Sequence, residues 1–343
     1  MSGRVSTDPT LGTGSTIGKY FSVVSMIPSV LLAVWVYLLL AAGSLHQTPS
    51  MTTLMSNNPI AHPEYLIATF AFAIAVALVG HPLQFALVQI LEGYWGNSTL
   101  ARNLRVRFVM GHLRRIELAS RSRKEGRLQL RRLPKPVSGD TNEYLSPAEI
   151  AADPDAAATV VWAQAHLDAW EIVNSQYPDE RTATLPTRLG NVLRRHELVS
   201  GSAVHLPILD WATHIGMVAN PTHTAYVNDQ RTQLDLAVRM AASTFFAAAI
   251  TFLLLWPYGW PSLLSLIPYV AAFFSYRGAV VCADGYGRAL RAWVDLNRLR
   301  LYAELGLANV ATTDEEREQN DALVDLILGQ DTFQMRLRQS GDG

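Results

Sequence analysis

The chain is short of charge, of lysine and of cysteine. Charged residues fill 17% of its 343 positions and hydrophobic ones 49%. A soluble domain of this size is usually more polar, with about a quarter of its residues charged. The single cysteine, Cys282, allows no internal disulfide and no cysteine-based zinc site. Three of the 28 basic residues are lysines, Lys19, Lys124 and Lys135. An Arg- and Ala-rich chain of this kind is what a GC-rich bacterial genome tends to encode. No strand-type alternation and no internal repeat is visible, so the expected fold class is all-α.

Long apolar runs take the place of the missing charge. A spanning helix needs about 20 mostly apolar residues. Four stretches meet or approach that length, at 21–42, 66–85, 240–256 and 262–283. The third is short and the fourth carries Arg277. Only "PYGWP" separates these two, flanked by Trp256, Tyr258 and Trp260, rings that suit the membrane–water boundary. The residues between Gly43 and Glu64 include no Lys or Arg, whereas 97–137 holds 12 against two acids, Glu117 and Glu125. The positive-inside rule then places both termini in the cytoplasm of a bacterium, with the spans in its plasma membrane. Ala41–Gly43 resembles a signal cleavage site, but the apolar run and its leader are both too long for one.

The expected organisation follows. It is an integral membrane protein with four transmembrane helices in two hairpins. A cytoplasmic tail (1–20) precedes the first hairpin (21–95). A helical cytoplasmic domain (96–239) has a linker near 126–147. The second hairpin (240–283) leads to cytoplasmic helices and a tail (284–343). The cytoplasmic part is built partly from extensions of the membrane helices, and tails 1–16 and 329–343 are expected to be disordered.

Helix punctuation is strong in the polar half. Asn97, Ser98 or Thr99 caps a basic helix running to about Glu125. Ser146–Glu149 is a capping box. Asp153-Pro154 opens a helix that stops before Pro178. Asn220-Pro221 opens one with no breaker before Pro257, so it should run straight into the third span. The fourth span should continue to about Leu305. Thr313, with Glu316 as its partner, caps the last helix.

Several patterns are candidate sites. "GTGSTIGK" (Gly12–Lys19) evokes a phosphate-binding loop but lacks the first glycine at the required spacing, and Tyr20 follows the lysine. His205, Asp210, His214 and His223 lie close in sequence, the second and third one helical turn apart. Three of them (His205, Asp210, His214) are the metal candidates, although no known ligand spacing appears. His81, Gln84 and Glu92 share one helical face and, with Arg277, suggest a polar layer at the inner membrane boundary. Asp284, Arg288, Arg291, Asp295 and Arg298 fall on one face as a charge ladder. The basic run of 102–135 suits the anionic inner leaflet of the lipid bilayer. Without aromatic interleaving or a recognisable fold it is not expected to bind nucleic acid.

"LPTRLGNVLRRHE" (Leu185–Glu197) has two faces. Leu185, Leu189, Val192 or Leu193, and His196 form an inner stripe, with Pro186 in the first helical turn. Arg188, Asn191 and Arg195 form a second face for an anion or for ion pairs with Glu92, Asp284 or Asp295. Together with "HPLQFALVQILEGYW" and "YGRALRAWVDLNRLRLY", this stretch resembles a group of uncharacterised bacterial multi-pass membrane proteins. Those carry a Pro-Thr-Arg-Leu-Gly-Asn core between membrane hairpins, and the similarity spans about residues 65–305. It implies architecture and no activity. Residues 197–210 depart from the pattern, lacking its acidic, Tyr/Arg-rich continuation.

No catalytic constellation and no cofactor motif is legible. The leading expectation is therefore a membrane-embedded assembly, sensing or effector component. It would act through helical cytoplasmic contacts with a protein partner or a second copy. An oligomeric channel or small-solute transporter is the alternative, motivated by His81, Gln84 and Arg277. A membrane-surface enzyme on a lipid or phosphorylated substrate, using Arg188, Arg195 and His196 or Asp210, is the second.

Overall fold

The computed structural model describes the backbone of residues 10–57, 63–133 and 153–327, and their side chains except at 10–25, 63, 76, 77 and 79–85. Among these residues the chain is all-helical, with no strand. Four helices lie in the first half: α1 (Thr10–Ala41), α2 (Met51–Ser56), α3 (Pro63–Glu92) and α4 (Thr99–Arg132). Then come α5 (Pro154–Asn174), α6 (Arg188–Val199) and α7 (Ile208–Val218). The last three are α8 (Pro221–Leu255), α9 (Leu266–Glu304) and α10 (Thr313–Ile327).

Local chemistry sets most of these starts. Ser98 Oγ accepts from the Ala101 amide, and Asp153 Oδ1 from those of Asp155 and Ala156. Each cap satisfies donors that a helix leaves open at its first turn. The last helix is capped one residue earlier than its sequence suggests. Thr312 Oγ1 accepts from the Glu315 amide, and the Glu315 carboxylate accepts from the Ala311 amide. Thr313 is thus inside the helix, and Glu316 is free to turn inward.

Two boundaries shift. Residues 126–132, expected to belong to the linker, are helical, since α4 continues to Arg132. Gly126 lies where a Cβ would stand 2.9 Å from the Ala163 carbonyl, so it lets α5 pack closely on α4. The rest of that linker and the Ser146–Glu149 box lie outside the described residues, as does the 329–343 tail. At the other end, residues 10–16 are helical: α1 starts at Thr10, ahead of the apolar run.

The helices Pro221–Tyr258 and Trp260–Glu304 are long and apolar enough to cross a membrane. The apolar parts of α1 and α3 are shorter, Met26–Ala41 and Glu64–Ala75. Of the four expected spans, two therefore meet the length and composition requirement among the described residues.

The chain forms two compact units, one from 1–91 with 228–286, the other from 92–227 with 287–343. The first unit buries small residues at its helix contacts, among them Ala33, Ala73, Ala247, Ala248, Ala272 and Ala279. Many of its large residues are exposed, Ile67 at 71% and Leu253 at 72%, while Leu39, Leu234, Val238 and Leu255 are buried. The Trp35 indole donates to Thr251 Oγ1 at 2.8 Å, joining α1 to α8. The second unit has a larger buried apolar interior. Leu189, Leu206, Ile215, Leu301, Leu307 and Leu323 fill its interior, the arrangement that the hydrophobic effect selects in water.

Candidate functional site

The most constrained part of the second unit is α6 and the turn before it. Thr187 caps the helix by accepting from the Gly190 amide at 3.1 Å. Pro186 therefore precedes the cap instead of lying in the first turn. Its carbonyl accepts from His112 Nε2 at 3.1 Å, and His112 Nδ1 stands 2.9 Å from the Tyr177 hydroxyl. Only a neutral imidazole can donate from one nitrogen and accept at the other. Burial holds the His112 pKa below its ordinary value; the hydrogen bond to the Pro186 carbonyl opposes this, and the Arg115 and Arg188 charges add to the lowering.

Three glycines let other segments meet α6. A Cβ on Gly190 would stand 2.0 Å from the Glu92 carbonyl oxygen. On Gly93 it would stand 2.4 Å from Pro186 Cγ, and on Gly287 2.1 Å from the His196 ring. Gly93 also takes φ +101, a conformation other residues rarely adopt. The end of α3, the middle of α9 and the α6 helix are thus in direct contact.

The expected polar face of Arg188, Asn191 and Arg195 is divided by this packing. Asn191 is 0% exposed. Its Oδ1 accepts from the Leu185 amide, and its Nδ2 donates to the Leu185 and Thr187 carbonyls, at 2.7–2.8 Å. Arg188 donates twice to Gln176 Oε1 at 3.0 and 2.7 Å. Arg195 donates to the Asn174 and Tyr177 carbonyls and lies 3.9 Å from Asp179. The first is the carbonyl of the last residue of α5, which a helix end leaves without a helical partner, and the second lies in the turn beyond it. The arginines thus fasten the 174–179 segment to α6.

Beside this hub lies a carboxylate pair. The Glu92 carboxyl is pushed up to about 7, first by burial and then by the Glu197 charge. Burial also raises Glu197, opposed by its ion pair with Arg194 at 3.3 Å. The Tyr94 hydroxyl is raised by burial and these carboxylates, while Arg194 and Arg105 pull it down. Glu92 belongs to the second unit, so it is associated with this cluster; the side chains of His81 and Gln84 lie outside the described residues. Arg277, in the first unit, lies over the Phe273 ring at 5.8 Å.

The Glu92 shift makes stability pH-dependent. As pH rises from 4.5, its ordinary value, to about 7, the unfolded chain releases the proton that the folded chain retains. Stability present at low pH is lost across that window. Glu92→Gln, which cannot ionise, should match wild type at pH 5 and unfold at a higher temperature at pH 8. Thermal unfolding at both values checks this; equal melting at pH 8 would contradict it.

The metal candidates do not converge. His205 Nδ1 faces the Asp321 carboxylate at 3.0 Å. Asp210 lies in the first turn of α7, and His214 packs on the Trp211 ring at 4.9 Å. His223 meets the buried Asn297. No group of three or more His, Cys, Asp or Glu able to hold a metal occurs among the described residues.

In the charge ladder, Arg298 reaches another helix. Its Nε lies 2.7 Å from Glu316 of α10, and Tyr302 donates to the same oxygen. Asn320 donates to the Val204 carbonyl and the Tyr302 hydroxyl. Asp295 lies 3.9 Å from Arg298 along the helix. Arg291 is exposed. A separate buried polar residue was legible in the sequence: Asn297 stands between Trp293, Val294 and Leu301, polar on an apolar stripe, and it accepts from the Asn220 amide at 3.0 Å.

The outer face of α4 is different in kind. This helix carries 11 Lys/Arg against two acids, and Leu100, Val106, Phe108, Leu118 and Leu128 on it are exposed. A groove of about 390 Å³ opens along it, with Met110, Leu113 and Leu118 as its apolar part and Arg114, Arg121 and Arg181 around them. Glu117 holds Arg121 at 3.2 Å and Arg181 at 3.8 Å. These geometries stand alone, for no known protein family, curated protein or solved structure matches the chain.

Proposed function

We propose that the protein is a membrane-embedded assembly or effector component that works by association through the α4 face of its second unit. In this reading all four apolar stretches span a bacterial plasma membrane, with both termini cytoplasmic. The outward large side chains and inward alanines of the first unit support this, since lipid is as apolar as leucine and helices then pack through small residues.

The α4 face carries the proposal. The Pro-Thr-Arg-Leu-Gly-Asn core has its polar groups engaged within the chain, whereas the long basic helix is a large surface that combines charge with exposed apolar residues. An apolar groove rimmed by arginines suits a protein partner or a second copy. The remaining basic residues suit anionic lipid headgroups, at about 1 kcal/mol for each near the surface.

Cross-linking in intact membranes, followed by mild-detergent purification and mass spectrometry, tests this with Arg114→Glu/Leu118→Ser. Both side chains are exposed, so the fold should survive. A discrete partner or homo-oligomer in wild type should fall away in the variant. The same folded monomer in both proteins would sink the association reading.

A further inference from the structure

The first unit contains a cavity of about 430 Å³ between α1 and α3. That is within the usual range for a small-molecule site. It opens where small side chains, Ala33 and Ala41 on α1 and Ala68 on α3, face one another. None of its described lining residues is charged. Its polarity is graded. Asn57 and Tyr65 lie at one end, and Ala33 and Phe72 at the other.

The polar end is already occupied with itself. The Tyr37 hydroxyl donates to the Asn57 carbonyl at 3.0 Å, and the Asn57 amide donates to the Ala41 carbonyl at 2.9 Å. Thr69 donates to the Tyr65 carbonyl. Such a site offers little to an ion or a sugar and much to an apolar chain. Around it, Leu31, Val34, Leu38, Leu66, Ile67 and Phe70 are exposed, so the hollow is set within a wider apolar surface. In a membrane, the molecules that meet that surface are lipids.

We propose that this cavity binds one acyl chain of a membrane lipid, laid along α1 and α3 with its headgroup beyond the Asn57 end. The uncharged character of the described lining predicts that the acyl chain, and not the headgroup, sets the binding. The inference rests on the membrane reading of the first unit given above.

The test uses the full-length protein in vesicles of phosphatidylethanolamine and phosphatidylglycerol, with a trace of phospholipid bearing a diazirine on one acyl chain. After illumination, adducts are mapped by peptide mass spectrometry. Adducts should concentrate at Tyr37 and Thr69 over Val34 and Ile67. Ala68→Phe fills the hollow from an exposed position and should lower the cavity adducts about tenfold, 1.4 kcal/mol of binding, with Ile67 unchanged. Ala68→Val, a smaller graft, should lower them less and serves if the phenylalanine variant does not fold.

Equal labelling at all four positions, or cavity labelling indifferent to both variants, would overturn the proposal. Alkaline carbonate treatment of the same vesicles separates the two readings. Protein released by carbonate fails the membrane reading itself, whereas protein retained without cavity adducts fails the acyl-chain site alone.

Discussion

Gly190→Ala should unfold the second unit or leave it severely weakened. The added methyl would stand 2.0 Å from the Glu92 carbonyl oxygen, 2.9 Å from its carbon and 3.0 Å from Leu185 Cδ1. Two of those three atoms are backbone, so no side-chain rotation relieves the contact. Nor can α6 retreat cheaply, since Pro186 is against Gly93 and His196 against Gly287. A helix normally gains about 1 kcal/mol when alanine replaces glycine. Overpacking against fixed backbone should exceed that gain, for a net loss of about 3 kcal/mol or more. Gly111→Ala on α4 is the matched control. Nothing lies within 4 Å of its added methyl, and it should stabilise by about 0.5–1 kcal/mol. Thermal unfolding of the purified proteins reads both. A Gly190→Ala protein that melts with wild type would show that α6 does not pack on the end of α3 as described.

Asn191→Asp should be the second large effect, because it changes chemistry at almost constant shape. One oxygen can still accept from the Leu185 amide, but the other would face the Leu185 and Thr187 carbonyls, which now receive donors at 2.8 and 2.7 Å. An ionised carboxylate there would be buried against two acceptors, at a cost of about 3–5 kcal/mol. Asn191→Ala removes the same bonds without adding charge and should cost about 2–3 kcal/mol. The two variants separate by pH. Because the new carboxyl can be retained only with a proton, its folded-state pKa lies above the unfolded one. The aspartate deficit should therefore be small near pH 4 and grow towards pH 8, while the alanine deficit stays flat. Denaturant unfolding at the two pH values decides it; a flat aspartate deficit would mean that Asn191 is not enclosed by those carbonyls.

The all-α class, most helix starts and the unbroken runs of α8 and α9 were legible in the sequence. The reason is that these features are local. A cap acts over three residues, as Ser98 does on Ala101, and a proline stops a helix wherever it stands. Hydropathy likewise marked the two helices long and apolar enough to cross a membrane. Locality also explains the near misses. Thr312 and Thr313 offer the same cap chemistry, and the choice between them follows from Glu316, whose carboxylate is held by Arg298 and Tyr302 from another helix.

Helical spacing, which ordered the charges of α6, could not say which of them meet solvent. It joined Arg188, Asn191 and Arg195 because i, i+3 and i+7 share a face. The structure separates them because the Leu185–Thr187 turn folds back over Asn191, and because Gln176 and the carbonyls at the end of α5 come within reach of the arginines. Those partners lie 12 to 21 residues away, beyond any local pattern. The histidines make the same point: closeness along the chain brought no metal group together, since His205, His214 and His223 each face a different neighbour. By itself the sequence determined where helices begin, how long they run and which are apolar, since each depends on residues within a turn or two. Tertiary structure alone decided which atoms the Arg-rich core fastens, that Glu92 holds its proton to about pH 7, and that a hollow opens between α1 and α3. Burial, desolvation and close approach are set by residues distant in the chain.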